Sequence, residues 1–188
     1  MRVVYRAKTA FIAALVALPL VLSFQGCENT TPKPEERKAI TAAVMRYLHQ
    51  LSDAYTNMDA RRLEGTATRG EMAAVQKLLQ KLAESGDRVE ATLLKAEVEK
   101  MDVFRVVNAS VRLLEVWDVR RLDAYTGEVK GENPATVQHS VIQLRKIEGK
   151  WLVTYRRVLE TQGGTKWKVT TPVPAASGRK TPSGQKTR

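Results

Sequence analysis

The stretch 137-VQHSVIQLRKIEGKWLVTYRRVL-159 decides how the rest of the chain is read. Two apolar-rich runs flank Glu148-Gly149-Lys150, and Trp151 opens the second run. Strand, short glycine-bearing turn, strand is the signature of a β-hairpin. Only a polar tail follows, so the hairpin closes the folded domain.

Upstream of it the period stays at two. Val107, Ala109, Val111, Leu113 and Trp117 alternate in a long run ending near Leu122, with Leu114 and Val116 on the other face. That pattern predicts a strand with a bulge or bend. Val89, Ala91 and Leu93 alternate before it, and Leu94, Ala96 and Val98 continue out of step, which predicts a strand that switches face. Tyr125-Thr126-Gly127-Glu128 and Gly131-Glu132-Asn133-Pro134 carry turn chemistry. Four strands are expected, at 88–100, 104–122, 135–146 and 150–159.

Before residue 86 the period is helical. Ile40, Val44, Tyr47, Leu48, Leu51 and Tyr55 lie on one face of a helix opened by Pro34 and Glu35 and broken near Asn57. Asp59 can cap a short helix ended by Gly65. Thr68 and Glu71 have capping-box spacing ahead of a helix with Met72, Val75, Leu78, Leu79 and Leu82 as its stripe, stopped by Ser85-Gly86-Asp87. Helices first and consecutive strands after them predict an α+β domain over 35–160, in which N-terminal helices pack on a curved antiparallel sheet of about four strands.

The ends read differently. The chain has 188 residues and a net charge of +11. Arg2, Arg6 and Lys8 at one end, and six Lys or Arg between 161 and 188 without an acid, leave the domain near neutrality. That distribution argues against a nucleic-acid-binding body. The positive start, the apolar run Ala10–Leu22 and Cys27 predict an export leader over 1–26, too short to be a membrane span. The arrangement resembles a bacterial lipoprotein signal. Gly26 precedes Cys27 as in the lipobox, while Phe24 and Gln25 stand where Leu and a small residue are usual. The resemblance implies lipidation at Cys27 and a membrane anchor; an uncleaved anchor or ordinary cleavage are the alternatives. All three export residues 28–188. Residues 27–34 then form a spacer, and 161–188 a basic, largely disordered tail able to meet anionic lipid or cell-wall polymer.

The segments 55-YTNMDARRL-63 and 143-QLRKIEGKWLV-153 resemble the nuclear transport factor 2-like superfamily of cone-shaped α+β domains. That family holds isomerases, dehydratases and cyclases as well as binding domains without catalysis, so the resemblance implies a fold and leaves activity open. It also implies that sheets can pair, giving a homodimer. Candidate pocket residues are Tyr47, Leu51, Tyr55, Trp117, His139 and Tyr155. His49 lies off the helical stripe and reads as an exposed histidine. No catalytic constellation is legible, and one cysteine with two histidines 90 residues apart gives no metal site. No cofactor motif is present. The expectation is an exported, membrane-tethered envelope lipoprotein whose domain binds a ligand or an envelope protein without catalysis. The alternatives are an exported isomerase- or cyclase-like enzyme using the cone, and cell-wall or anionic-lipid binding through the tail.

Overall fold

The computed structural model describes residues 31–163. The leader, Cys27 and the tail beyond 163 lie outside them. Helix α1 runs Pro34–Asn57, a 3-10 turn Ala60–Leu63, and helix α2 Arg69–Glu84. Strands follow: β1 Asp87–Phe104, β2 Asn108–Asp123, β3 Val129–Ile147 and β4 Lys150–Gln162. They form one antiparallel sheet in the order β1-β2-β3-β4. The predicted α+β architecture is the one observed.

Helix α1 starts with proline in its first turn beside Glu35 and Glu36, where a missing N–H is harmless and acids meet the positive helix end. Its stripe of Ile40, Val44, Tyr47, Leu48 and Leu51 is buried against the sheet. Met58 takes a left-handed conformation (φ 53°) and ends it. The Asp59 carboxylate then accepts the Arg61 N–H at 3.0 Å, as its capping position predicts. Thr68 behaves otherwise. Its side chain makes no cap, and Glu71 does not reach back to it. Instead the Thr68 N–H donates to Val153 O at 2.8 Å, and the Val153 N–H to Thr66 O at 2.8 Å. The loop before α2 thus occupies hydrogen-bonding groups of β4, an edge strand.

The β3–β4 hairpin closes through Glu148 (φ 49°) and Gly149 (φ 78°), with Ile147 opposite Lys150. Two left-handed central residues are what a two-residue type I′ turn needs, and only glycine enters that region without steric cost. The turn is therefore one residue shorter than the three that separate the apolar runs. The segment Gly131-Glu132-Asn133-Pro134, read as a turn, lies inside β3. Pro134 and Ala135 (φ 47°) form a bulge there, and Asp118 Oδ1 accepts the Ala135 N–H at 2.7 Å.

Bulges also explain the apparent change of face in β1. Leu94 and Glu99 are extra residues opposite β2. Ala91 and Leu93, then Ala96 and Val98, then Met101 and Val103 therefore all face the core. The strand keeps its face; the sequence shifts phase. On β4, Thr154 and Leu159 are the extra residues. Bulges bend the strand that carries them and increase its twist, which curves the sheet around the helices.

Candidate functional site

Beneath the last turns of α2, the curved sheet lines a solvent-open cavity of about 520 Å3. Tyr55, Leu82, Val89, Trp117, Val119 and Val158 supply its apolar walls. A smaller cleft of about 300 Å3 adjoins it between α1, α2 and β4, and shares Tyr55, Leu78, Arg156 and Val158. Arg156 borders both spaces.

The polar groups around these spaces are held by one another. Glu115 is fully buried on the core face of β2, between Leu113 and Trp117. It accepts from Trp117 Nε1 at 2.7 Å, from Arg156 Nη2 at 2.6 Å and from the Ser140 hydroxyl. Arg156 Nη2 also donates to Gln138 Oε1 at 3.3 Å. Burial works against the charge on Arg156, but Glu115 beside it prevails and holds its pKa above the ordinary arginine value. Arg156 Nε is buried and has no hydrogen-bond partner among the described residues. In the cleft, the Tyr47 hydroxyl donates to Glu71 Oε1 at 2.6 Å, both residues being buried. Burial first, and Glu71 second, push the Tyr47 phenol well up, so it stays protonated and donates. Burial does the same to Tyr55.

At the mouth, Asp87 is almost wholly buried and binds two cations. Arg121 Nη2 meets its Oδ2, and Lys130 Nζ lies 3.0 Å from its Oδ1. Lys130 also reaches Asp123 at 2.8 Å and the Gly86 carbonyl at 3.1 Å. Burial opposes the Asp87 charge, yet its hydrogen bonds from Arg121 and Lys130 hold its pKa below the usual carboxylate value.

The expected pocket residues fall into three places. Tyr55 and Trp117 line the larger cavity, and Tyr47, Leu51, Tyr55 and Tyr155 the smaller cleft, with Tyr155 half exposed at its rim. His139 is elsewhere. Its neighbours Gln138 and Ser140 turn to the interior, so alternation points His139 to the outer face. There its Nδ1 lies 3.1 Å from Glu99 Oε1. Three polar residues of the site, Glu115, Gln138 and Arg156, were not among the expected ones. The signal for Glu115 was an acid at the one polar position in the alternation Ala109, Val111, Leu113, Glu115, Trp117. Arg156 stands out in the sequence only as half of the Arg156-Arg157 pair, which reads as solvated sheet residues on opposite faces; the Thr154 bulge sets which of the two faces inward.

Two helices on the concave side of a curved antiparallel four-strand meander, with a cavity at the open end, are now in view. The fold is the nuclear transport factor 2-like cone. No family profile matches this chain, and no curated protein matches it. Among solved structures, the chain is similar to the intermembrane space region of the chloroplast protein ARC6, with TM-score 0.54 and 16% identity over 68% of this chain and 98% of that one. A ketosteroid isomerase-like protein from Erwinia carotovora atroseptica follows at TM-score 0.46 and 17% identity, covering 68% of this chain and 99% of that one. A cystatin-like-fold protein of unknown function from Nostoc punctiforme is similar at TM-score 0.41 and 13% identity over 71% of this chain and 96% of that one. At these identities the likeness concerns the fold alone. Among the described residues of the cone, no helix is long and apolar enough to cross a membrane, and no three His, Cys, Asp or Glu converge as metal ligands.

Proposed function

We propose that this chain is an exported lipoprotein, tethered through Cys27, whose cone binds a small, largely apolar ligand without transforming it. One observation carries the binding half. The cone holds a cavity of about 520 Å3, and the carboxyl groups bordering it and the adjoining cleft are already engaged. Asp87 is bound by Arg121 and Lys130, and Glu71 by the Tyr47 hydroxyl. A general base needs a lone pair within reach of the substrate proton. Asp87 has a cation on each oxygen and Glu71 gives one oxygen to the Tyr47 hydroxyl, which favours binding over the isomerase- or cyclase-like alternative. The volume lies in the range of small-molecule sites, and apolar walls with few polar groups are their usual composition.

The tether rests on the sequence: a positive start, a 13-residue apolar run and a lone cysteine five residues after it. An acyl chain adds membrane affinity in proportion to its buried methylene groups.

The binding half is tested with the neutral fluorophore N-phenyl-1-naphthylamine. One saturable site is expected, weakened about tenfold or more in Val158→Trp, whose indole occupies the cavity. A probe that binds the variant equally well, or binds neither protein, overturns it. The tether is tested by labelled fatty acid: Cys27→Ala is expected to lose both label and membrane association. Retention of both would sink that half alone.

A further inference from the structure

At the polar corner of the cavity the main acceptors, Glu115 and the Gln138 amide oxygen, already receive protein donors. Arginine carries only donors, so the Gln138 amide atom facing Arg156 Nη2 at 3.3 Å must be the oxygen. That leaves the Gln138 amide N–H groups, on a residue lining the cavity, for another acceptor. The hydrogen bonds of Arg156 within the protein run through Nη2. Its Nη1 N–H groups make none among the described residues. Tyr55 lines the same space. Glu115, the acceptor that holds the corner together, is filled by Trp117, Ser140 and Arg156 and is wholly buried.

Charge at this inner corner then decides which acceptor fits there; of the other cations lining the cavity, Lys81 is solvent-exposed and Arg121 is paired with Asp87. Arg156 is not a bare cation, because the Glu115 carboxylate lies 2.6 Å away and balances it. An anionic ligand placed against Arg156 would bring a second negative charge next to Glu115. The buried cluster would then carry an uncompensated charge, which costs several times what one hydrogen bond returns. A neutral oxygen takes the same donors without that cost.

We infer that the Glu115–Arg156 pair makes the cone selective for an uncharged, mostly apolar ligand bearing a hydrogen-bond-accepting oxygen, such as a carbonyl or ester, and turns away carboxylates of the same shape. Arg156 and Gln138 are the binding donors, and Glu115 is a positioning residue that aims Arg156 and cancels its charge. This rests on the binding reading above and adds the chemical class of the ligand.

The test is displacement of N-phenyl-1-naphthylamine by three molecules of matched shape: 2-acetylnaphthalene, 2-ethylnaphthalene and 2-naphthoate. The ketone is expected to bind about tenfold or more tightly than the hydrocarbon, the scale of one hydrogen bond from a charged donor. The carboxylate is expected to bind most weakly. In Gln138→Leu, which leaves the Glu115–Arg156 pair intact, the preference for the ketone should shrink several-fold. In the double variant Glu115→Leu, Arg156→Met it should likewise shrink, to what Gln138 alone supports, while the fluorophore still binds. Equal binding of ketone and hydrocarbon, or tighter binding of naphthoate, overturns the inference and leaves the binding reading standing. Failure of the fluorophore itself to bind the native protein removes both.

Discussion

Two ionic clusters in this molecule use the same chemistry in different surroundings. Deep in the cone, Glu115 and Arg156 meet with the carboxylate fully buried and the guanidinium nearly so. At the mouth, Asp87 is as deeply buried, but its partners Arg121 and Lys130 are about a third exposed. Water can take over from Arg121 or Lys130 if either moves. It cannot take over from Arg156. The inner pair therefore fixes both the integrity and the chemistry of the cavity, whereas the outer cluster clasps the start of β1 to the end of β2 and the start of β3.

The largest effect that would expose this difference is Glu115→Leu. It strands a buried guanidinium and should cost about 3–5 kcal/mol, read as the shift in urea unfolding. Adding Arg156→Met should restore most of that loss; a double variant as unstable as the single one would show that the pair is not the unit described. Next is Tyr47→Phe, which leaves the buried Glu71 without its donor at a cost of about 1–3 kcal/mol by the same measurement. Asp87→Asn at the mouth should cost less, about 1–2 kcal/mol, because its partners regain water, and added salt should narrow the gap. A loss matching that of Glu115→Leu would erase the contrast between the two clusters.

Acid gives the subtler comparison. The Asp87 and Asp123 carboxyls are held below their ordinary values, Asp123 first by its bond from Lys130. A depressed folded pKa contributes stability above the unfolded value, and that contribution is lost as pH falls through about 4 and below. Acid titration of unfolding should therefore be shallower in Asp87→Asn than in the native protein. Smallest of all is Arg61→Ala. It removes an ion pair to Asp59 in which the Arg61 side chain is 81% exposed, and the thermal midpoint should not move measurably.

The same contrast marks what the sequence could convey. Helix α1, the 3-10 turn and the closing hairpin were legible because periodicity and turn residues are local signals. The mouth was half legible: Gly86-Asp87 read as a helix stop, with nothing to say that Lys130 would reach back to it from 43 residues away. The inner pair was harder. Glu115 stands at a core-facing position among apolar neighbours, where alternation alone does not tell a buried acid from a solvated one. Arg156 faces inward only because Thr154 is an extra residue, and simple alternation from Trp151 and Val153 puts Tyr155 inside instead. His139 was misplaced for a related reason, since an alternating strand does not say which of its faces meets the helices. The capping-box reading of Glu71 failed because a buried tyrosine hydroxyl, 24 residues away, competed for the carboxyl.

The extra residues Leu94, Glu99, Thr154 and Leu159 have a consequence for chain length. Removing any one of them would straighten the strand locally yet leave each neighbouring side chain on its present face. Removing the residue two places before or after would invert the inward set up to the next bulge. Single-residue deletions should thus be survivable at these addresses and ruinous a step or two away. A library of one-codon deletions, scored for folding, would read the bulges of this sheet directly from genetics.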